Sequence, residues 1–162
     1  MEIKDKELHR VATTAIIYNK DGRFLIIKRA MHKKHFPGRW TVPGGGLTVD
    51  DYIHTPLTHE GDNQWYFSVT KALVREVREE VGLDIGKPEY LLDLTFIKGD
   101  TIPVLVLSYF AEYISGEVTL DEDATEYAWV AVDELKNYDL IEGIDYEIEM
   151  VDKMLKERNY VR

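Results

Sequence analysis

The nine residues Arg75-Glu76-Val77-Arg78-Glu79-Glu80-Val81-Gly82-Leu83 carry the reading of this chain. Leu73, Val77 and Val81 recur at i, i+4 and i+8 with Val74 beside them, so the spacing predicts a helix over 66–81 with one apolar stripe. Gly82 stands where a left-handed residue closes a helix, and Leu83 follows to complete the contact. At about 100° per residue, Glu76, Glu79 and Glu80 fall within an arc of about 100°, so three carboxylates share one helix face. The Glu76/Glu80 pair at i, i+4 costs roughly 0.2–0.5 kcal/mol, and Arg75 at i−4 from Glu79 offsets a similar amount. A cation would relieve the rest. Oxygen-only clusters of this kind suit a hard divalent ion such as Mg2+ or Mn2+, which shares its coordination sphere with substrate phosphates.

Outward from the helix the chain alternates between strand and turn signals. Val11 to Tyr18 is rich in β-branched residues, Asn19-Lys20-Asp21-Gly22 supplies turn chemistry, and Phe24 to Ile27 returns to strand character, which predicts a hairpin. A second pair is predicted at Tyr90 to Ile97 and Ile102 to Tyr113, joined by a Gly99-Asp100 turn, with a shorter strand over Tyr127 to Val132. Together these give a mostly antiparallel or mixed sheet. The tail from about Asp145 repeats a helical stripe at Ile148, Val151 and Leu155 and reads as a packing helix without chemistry, extending over about 145–160. Between the glycine run Gly44-Gly45-Gly46 and Trp65 lies a long irregular segment with Asp50, Asp51, Glu60 and Asp62 but no Lys or Arg. Its closing aromatics, Trp65, Tyr66 and Phe67, either plug the loop onto the core or offer a face to a base, and plugging is the favoured expectation.

The length of 162 residues fits one domain, and 44% apolar residues with 18 aromatics (3 Trp, 10 Tyr, 5 Phe) suffice for a core. Lys and Arg number 20 against 30 Asp and Glu, a formal charge of −10. Non-specific binding to a nucleic-acid backbone is therefore disfavoured, and any phosphate ligand must arrive with cations. The absence of cysteine excludes disulfides, thiolate metal sites and a thiol nucleophile. The opening Met1 to Glu7 has no apolar run and the longest apolar stretch is too short for a membrane helix, so the expectation is a cytoplasmic protein with no membrane partner.

Three ordered segments give the chain its resemblance. Arg75 to Leu83 matches Arg-Glu-aliphatic-x-Glu-Glu-x-Gly-aliphatic, Trp40, Pro43, Gly44 and Gly45 match Trp-x-x-Pro-Gly-Gly, and Trp129, Val130, Asp133, Glu134 and Leu135 match Trp-Val-x-x-Asp-Glu-Leu. In these it resembles the Nudix hydrolase family of MutT-like proteins, whose box is Gly, five residues, Glu, seven residues, then the Arg-Glu segment. The resemblance implies a single α/β domain of Nudix fold, a mixed sheet sandwiched between helices, with an inserted or extended loop at about 46–66. It implies Mg2+- or Mn2+-dependent hydrolysis of a pyrophosphate bond in a nucleoside diphosphate linked to another moiety, with water attacking phosphorus. Glu76, Glu79 and Glu80 become the catalytic and metal-ligating carboxylates with Gly45 beside them, Arg75 and Gly82 their structural support. Family members often use a further carboxylate beyond the box, for which Glu126 is the first candidate, then Asp123 and Glu112. Arg29, Arg39 and Trp40 are the substrate-binding candidates. Dimerisation is common in the family, and no residue here specifies an interface.

One departure stands out. Counting eight residues back from Arg75, the box Glu falls at Phe67. Either the carboxylate is lost, or His59-Glu60-Gly61-Asp62 replaces the usual Glu-x-Gly-Glu and Asp62 takes its place. The alternative function is accordingly a nucleotide-binding or regulatory module of the same fold with weak or lost turnover.

Overall fold

The computed structural model describes residues 6–58, 61, 63–97 and 102–160, so the predicted Gly99-Asp100 turn and Asp62 lie outside the described residues. Among the described residues eight strands form one mixed sheet: β1 (Arg10–Tyr18), β2 (Phe24–Arg29), β3 (Trp40–Thr41), β4 (Gly44–Gly46), β5 (Asp84–Ile85), β6 (Glu89–Ile97), β7 (Pro103–Ser115) and β8 (Ala124–Val130). Two α-helices, α1 (Ser68–Val81) and α2 (Ile144–Tyr160), accompany it among the described residues. Through the middle the order is β3-β2-β1-β7-β5, with β4 pairing β1, β6 pairing β7 and β8 pairing β2. The long strands β1 and β7 run parallel over Arg10↔Val104 to Tyr18↔Glu112, while the remaining pairs are antiparallel. The predicted hairpin is present, its turn closing on Tyr18↔Phe24. The short strands β3, β4 and β5, two or three residues each, are too brief for periodicity to reveal.

Strand alternation sorts the core into two layers. Ala15, Ile17, Leu25 and Ile27 face α1 and meet Leu73, Val77 and Val81, the predicted stripe. Ile16, Phe24, Ile26 and Phe110 face the opposite way and meet Ile144, Ile148 and Val151 of α2. Burying each such aliphatic side chain contributes about 1.5–3 kcal/mol, so the sheet is clamped between two helices as expected. Helix α1 stops at Gly82, whose φ of 71° is left-handed and whose N–H donates to the Arg78 carbonyl at 3.1 Å. It starts two residues later than predicted, with Phe67 as its N-cap at φ 63°.

The α2 layer holds one charged group at its centre. Glu147 is only 4% exposed, accepts a bond from Ser108, and leaves its Oε2 without a partner among the described residues. Ser108 in turn shares a hydrogen bond of 2.9 Å with Thr14. Burial pushes the Glu147 carboxyl above its ordinary pKa, and the Ser108 bond opposes this only partly. Below the unfolded-state pKa both states hold the proton and the burial costs little. As pH climbs past that value the unfolded chain ionises while the buried group resists, so its contribution falls with rising pH up to the folded-state pKa. Glu147→Gln should therefore match the parent in melting temperature near pH 4 and exceed it at pH 8. Calorimetry at the two pH values checks this, and an equal difference at both would refute it.

Candidate active site

The site forms where α1 crosses β4. Gly44 donates its N–H to Glu80 Oε2 at 2.9 Å, and Glu76 lies so close to Gly45 that a Cβ built there would stand 2.1 Å from the Glu76 carboxyl carbon. A Cβ on Gly44 would meet the Thr13 carbonyl oxygen at 2.1 Å. The glycine run is thus a flat strand pressed between β1 and the helix, and its lack of side chains lets two carboxylates rest on backbone. Glu80 is largely buried, and its pKa is raised to about 7. Burial is the main cause, Asp121 and Glu76 add to it, and the Gly44 bond and the Arg29 charge oppose it.

Arg75 organises the remaining acids. Its Nε donates to Asp51 at 2.6 Å, one terminal nitrogen to Glu79 at 2.6 Å and the other to Glu76 at 2.8 Å. The Asp51 side chain is 3% exposed and also accepts the Thr48 N–H at 2.7 Å, closing the short turn Val49–Asp51. Burial pushes the Asp51 carboxyl up, but the bonds from Arg75 and Thr48 outweigh it and hold the pKa below the ordinary value. Those carboxylates hold the Arg75 guanidinium firmly charged, Asp51 first among them.

Asp51 was missed because the box was counted backward from Arg75. Counted forward from Gly45, five residues lead to Asp51, where the box has Glu. The extra chain then lies between Asp51 and α1, in residues 52–67, and not ahead of the acid. Phe67 is consequently not the lost carboxylate; it caps α1 at 76% exposure. The aromatics divide the two expectations between them. Trp65 plugs the segment, its Nε1 donating to the Thr55 carbonyl at 3.0 Å and its ring 5.3 Å from that of Tyr52, whereas Phe67 stays in solvent. Asp51→Ala should free Arg75 and loosen the turn. The expected cost is about 1–2 kcal/mol, given a partly exposed arginine, or roughly 3–6 °C in melting temperature by calorimetry.

The other sequence candidates separate by sheet face. Arg29 follows Leu25 and Ile27 on the α1 side and is close enough to influence Glu80, although its Nε donates to the His35 carbonyl at 3.0 Å. Glu126 pairs in register with Lys28, to which it is bonded at 2.7 Å, and that pair falls on the α2 side by alternation with Ile26 and Ala128. It therefore sits across the sheet from Glu80, a correction to the sequence reading. Trp40 also faces α2, its ring edge-on to Tyr138 at 4.9 Å. Arg39 is bound to Asp139 at 3.0 Å and to the Leu140 carbonyl. Asp123 is paired with Lys33 and His32, and Glu112 acts on Tyr18. The further carboxylate that does act on Glu80 is Asp121, whose backbone N–H donates to the Glu80 carbonyl at 3.2 Å. No sequence signal marked it, because it reaches α1 only through the loop after β7.

As placed, no three His, Asp or Glu side chains among the described residues are grouped to hold one ion. Glu79 is 60% exposed and is bonded to Arg75, the guanidinium that also holds Glu76. Two carboxylates with adjacent backbone oxygen nonetheless fit the habit of Mg2+, which takes one or two carboxylates and fills its remaining positions with water and substrate phosphate. Beside them a cleft of about 450 Å3 is lined by Thr48, Asp50, Asp51, Lys71, Arg75 and Glu76. A second cleft of about 370 Å3, next to Trp129 and Tyr113 at the far end of α1, contains none of these acids.

Comparison with known proteins agrees with this geometry. The NUDIX domain profile matches residues 8–149. The chain is 31% identical over 141 residues to the nucleoside triphosphatase NudI of Klebsiella pneumoniae strain 342, covering 81% of this chain and 88% of that protein. Among solved structures it resembles a MutT NUDIX hydrolase from Burkholderia pseudomallei, with TM-score 0.68 and 27% identity over 90% of this chain and 99% of the other. The MutT protein of Methanosarcina mazei Go1 superposes with TM-score 0.71 at 21% identity, covering 94% of this chain and 99% of that one. On this breadth of match the chain belongs to the Nudix hydrolase family, enzymes that act on phosphate anhydrides.

Proposed function

We propose that this chain hydrolyses a pyrophosphate bond in a nucleoside di- or triphosphate derivative with the help of Mg2+ or Mn2+. The observation that carries the reading is the convergence of Glu76 and Glu80 on the Gly44–Gly45 backbone. Glu76 and Glu80 would hold the ions, with the Gly45 backbone beside them. Such ions, when bound, neutralise phosphate charge and make a bound water a better nucleophile. Glu80 is fixed in place by the Gly44 N–H, and Glu76 by Arg75. Arg75 braces three acids, each of its nitrogens bonded to one of them, so its role is positional. Glu79, exposed and next to the cluster, is placed to orient water once Arg75 releases it or shares it. Arg29 supplies the cation on the α1 face nearest Glu80.

The reading of a binding module without turnover rested on Phe67 standing where an acid was needed. Asp51 at Arg75 removes that reason. The similarity to a nucleoside triphosphatase supports a nucleotide substrate, and assignment to the cytoplasm and to a single domain spanning the whole chain remain part of this proposal. Incubation with a panel of nucleoside tri- and diphosphate derivatives should release phosphate or pyrophosphate in the presence of Mg2+ or Mn2+ and not in EDTA. The same ions should raise the melting temperature, since a ligand of the folded state alone must stabilise it. Absence of turnover across the panel, with nucleotide still bound, would favour the regulatory reading.

A further inference from the structure

The cleft beside Glu76 has an uneven charge balance. Asp50, Asp51 and Glu76 line it on the acidic side, Lys71 and Arg75 on the basic side. Each of the three Arg75 side-chain nitrogens is bonded to a carboxylate. Lys71, one turn earlier on α1, is exposed and forms no ion pair among the described residues. It is the cation of this cleft whose charge no carboxylate has taken. A lysine in that state, within a cleft of about 450 Å3 that also presents the cluster carboxylate Glu76, is suited to an anionic oxygen from outside the protein.

The turn that leads into Lys71 carries a second oddity. Phe67 is 76% exposed although it is a large aromatic residue, and its φ of 63° lies in the left-handed region, which costs a non-glycine residue about 1–2 kcal/mol. Core packing does not explain it. Its carbonyl accepts the Lys71 N–H at 3.0 Å and the Thr70 hydroxyl at 3.1 Å, and the ring of Tyr66 stands edge-on at 6.5 Å. Just before it Trp65 is held within its own segment, its Nε1 donating to the Thr55 carbonyl and its ring lying tilted beside that of Tyr52, the residue following Asp51. An aromatic face is thus held in solvent one helical turn from an unpaired lysine.

We propose that Lys71 binds a phosphate of the nucleotide substrate and that Phe67 provides a stacking face for its base, making the turn into α1 the element that selects the substrate. This rests on the hydrolase reading above. Stacking on an aromatic side chain tolerates any base, and a lysine contacts phosphate as a point charge, so the pair favours nucleoside polyphosphates over compounds lacking either part.

The test is steady-state kinetics of the whole chain with a nucleoside triphosphate and Mg2+, with inorganic triphosphate as a competitive inhibitor that lacks a base. Lys71→Ala should raise the KM for the nucleotide and the inhibition constant of triphosphate about 10-fold each, moving kcat less, and Lys71→Arg should recover most of the loss. Phe67→Ala should raise the nucleotide KM about 5- to 10-fold and leave the triphosphate inhibition constant alone. Lys20→Ala, in the β1–β2 turn, is the control for loss of one positive charge. Melting curves establish that each variant folds. Unchanged KM in both variants overturns the proposal, as does a Phe67→Ala protein altered only in oligomeric state. Equilibrium dialysis of the same nucleotide separates the two readings. If the parent chain binds it without turnover and both variants bind more weakly, the hydrolase reading falls and the selecting role of Lys71 and Phe67 stands; if the parent chain neither turns it over nor binds it, both fall.

Discussion

Glu80→Gln should lose about two to four orders of magnitude in kcat/KM while its melting temperature stays within a few degrees of the parent's. Removal of a principal carboxylate takes away several kcal/mol of transition-state stabilisation, and each 1.36 kcal/mol is tenfold in rate. Folding has no equivalent stake in the charge. Glutamine keeps the side-chain oxygen that accepts the Gly44 N–H, and it removes a negative charge that is already disfavoured by burial and by Asp121 and Glu76. The variant should also lose much of the stabilisation by Mg2+ expected of the parent chain. Kinetics and calorimetry on the same preparation decide the matter: a fully active Glu80→Gln protein would remove Glu80 from the metal site, and an unfolded one would show that its role is structural.

The three consecutive glycines provide the second large effect, because each faces different atoms. Gly45→Ala drives a methyl group into the Glu76 carboxylate, whose carbon lies 2.1 Å from the ideal Cβ position. A side chain can yield, so the fold should survive with a displaced Glu76. A shift of about 1 Å in a catalytic group costs about 100-fold in rate. Gly44→Ala meets the backbone instead, with the Thr13 carbonyl oxygen at 2.1 Å and Thr14 Cα at 2.9 Å. The β1–β4 pairing must open, and overpacking of this kind costs about 1–3 kcal/mol or more, lowering the melting temperature by roughly 3–10 °C. Gly46→Ala encounters nothing nearer than the Val11 carbonyl at 3.8 Å and should be close to neutral. The expected pattern is activity lost first at position 45, stability lost at 44, and neither at 46. Equal behaviour of all three would mean that close packing of β4 against α1 is not what shapes the site.

Much of the site was legible in the sequence because its key part is local. Glu76, Glu79 and Glu80 share a face by helical geometry, Leu73, Val77 and Val81 point that helix at a core, and Gly82 ends it, all within one run of residues. The longer strands and the second helix followed from the same kind of local periodicity, while their arrangement as a mixed sheet between two helices was implied by the family resemblance. The short strands did not, since two or three residues carry no period.

Other matters depended on contacts between distant residues. Arg75 reaches across the 52–67 segment to Asp51, and no spacing counted from the helix end finds that partner. Glu79 shares the helix face with its neighbours, and one guanidinium ties it to Glu76 and to the distant Asp51, a matter of side-chain geometry and not of the helical repeat alone. Glu126 lies near the closing motif in sequence, but its pairing with Lys28 puts it on the α2 side, while Asp121 reaches the box through a loop. The sequence alone thus determined the family, the helix and its carboxylates, because backbone periodicity and motif spacing are set by neighbours along the chain. Which acids converge, and which face of the sheet each occupies, was decided by strand register and long-range ion pairs, which exist only once the chain has closed on itself.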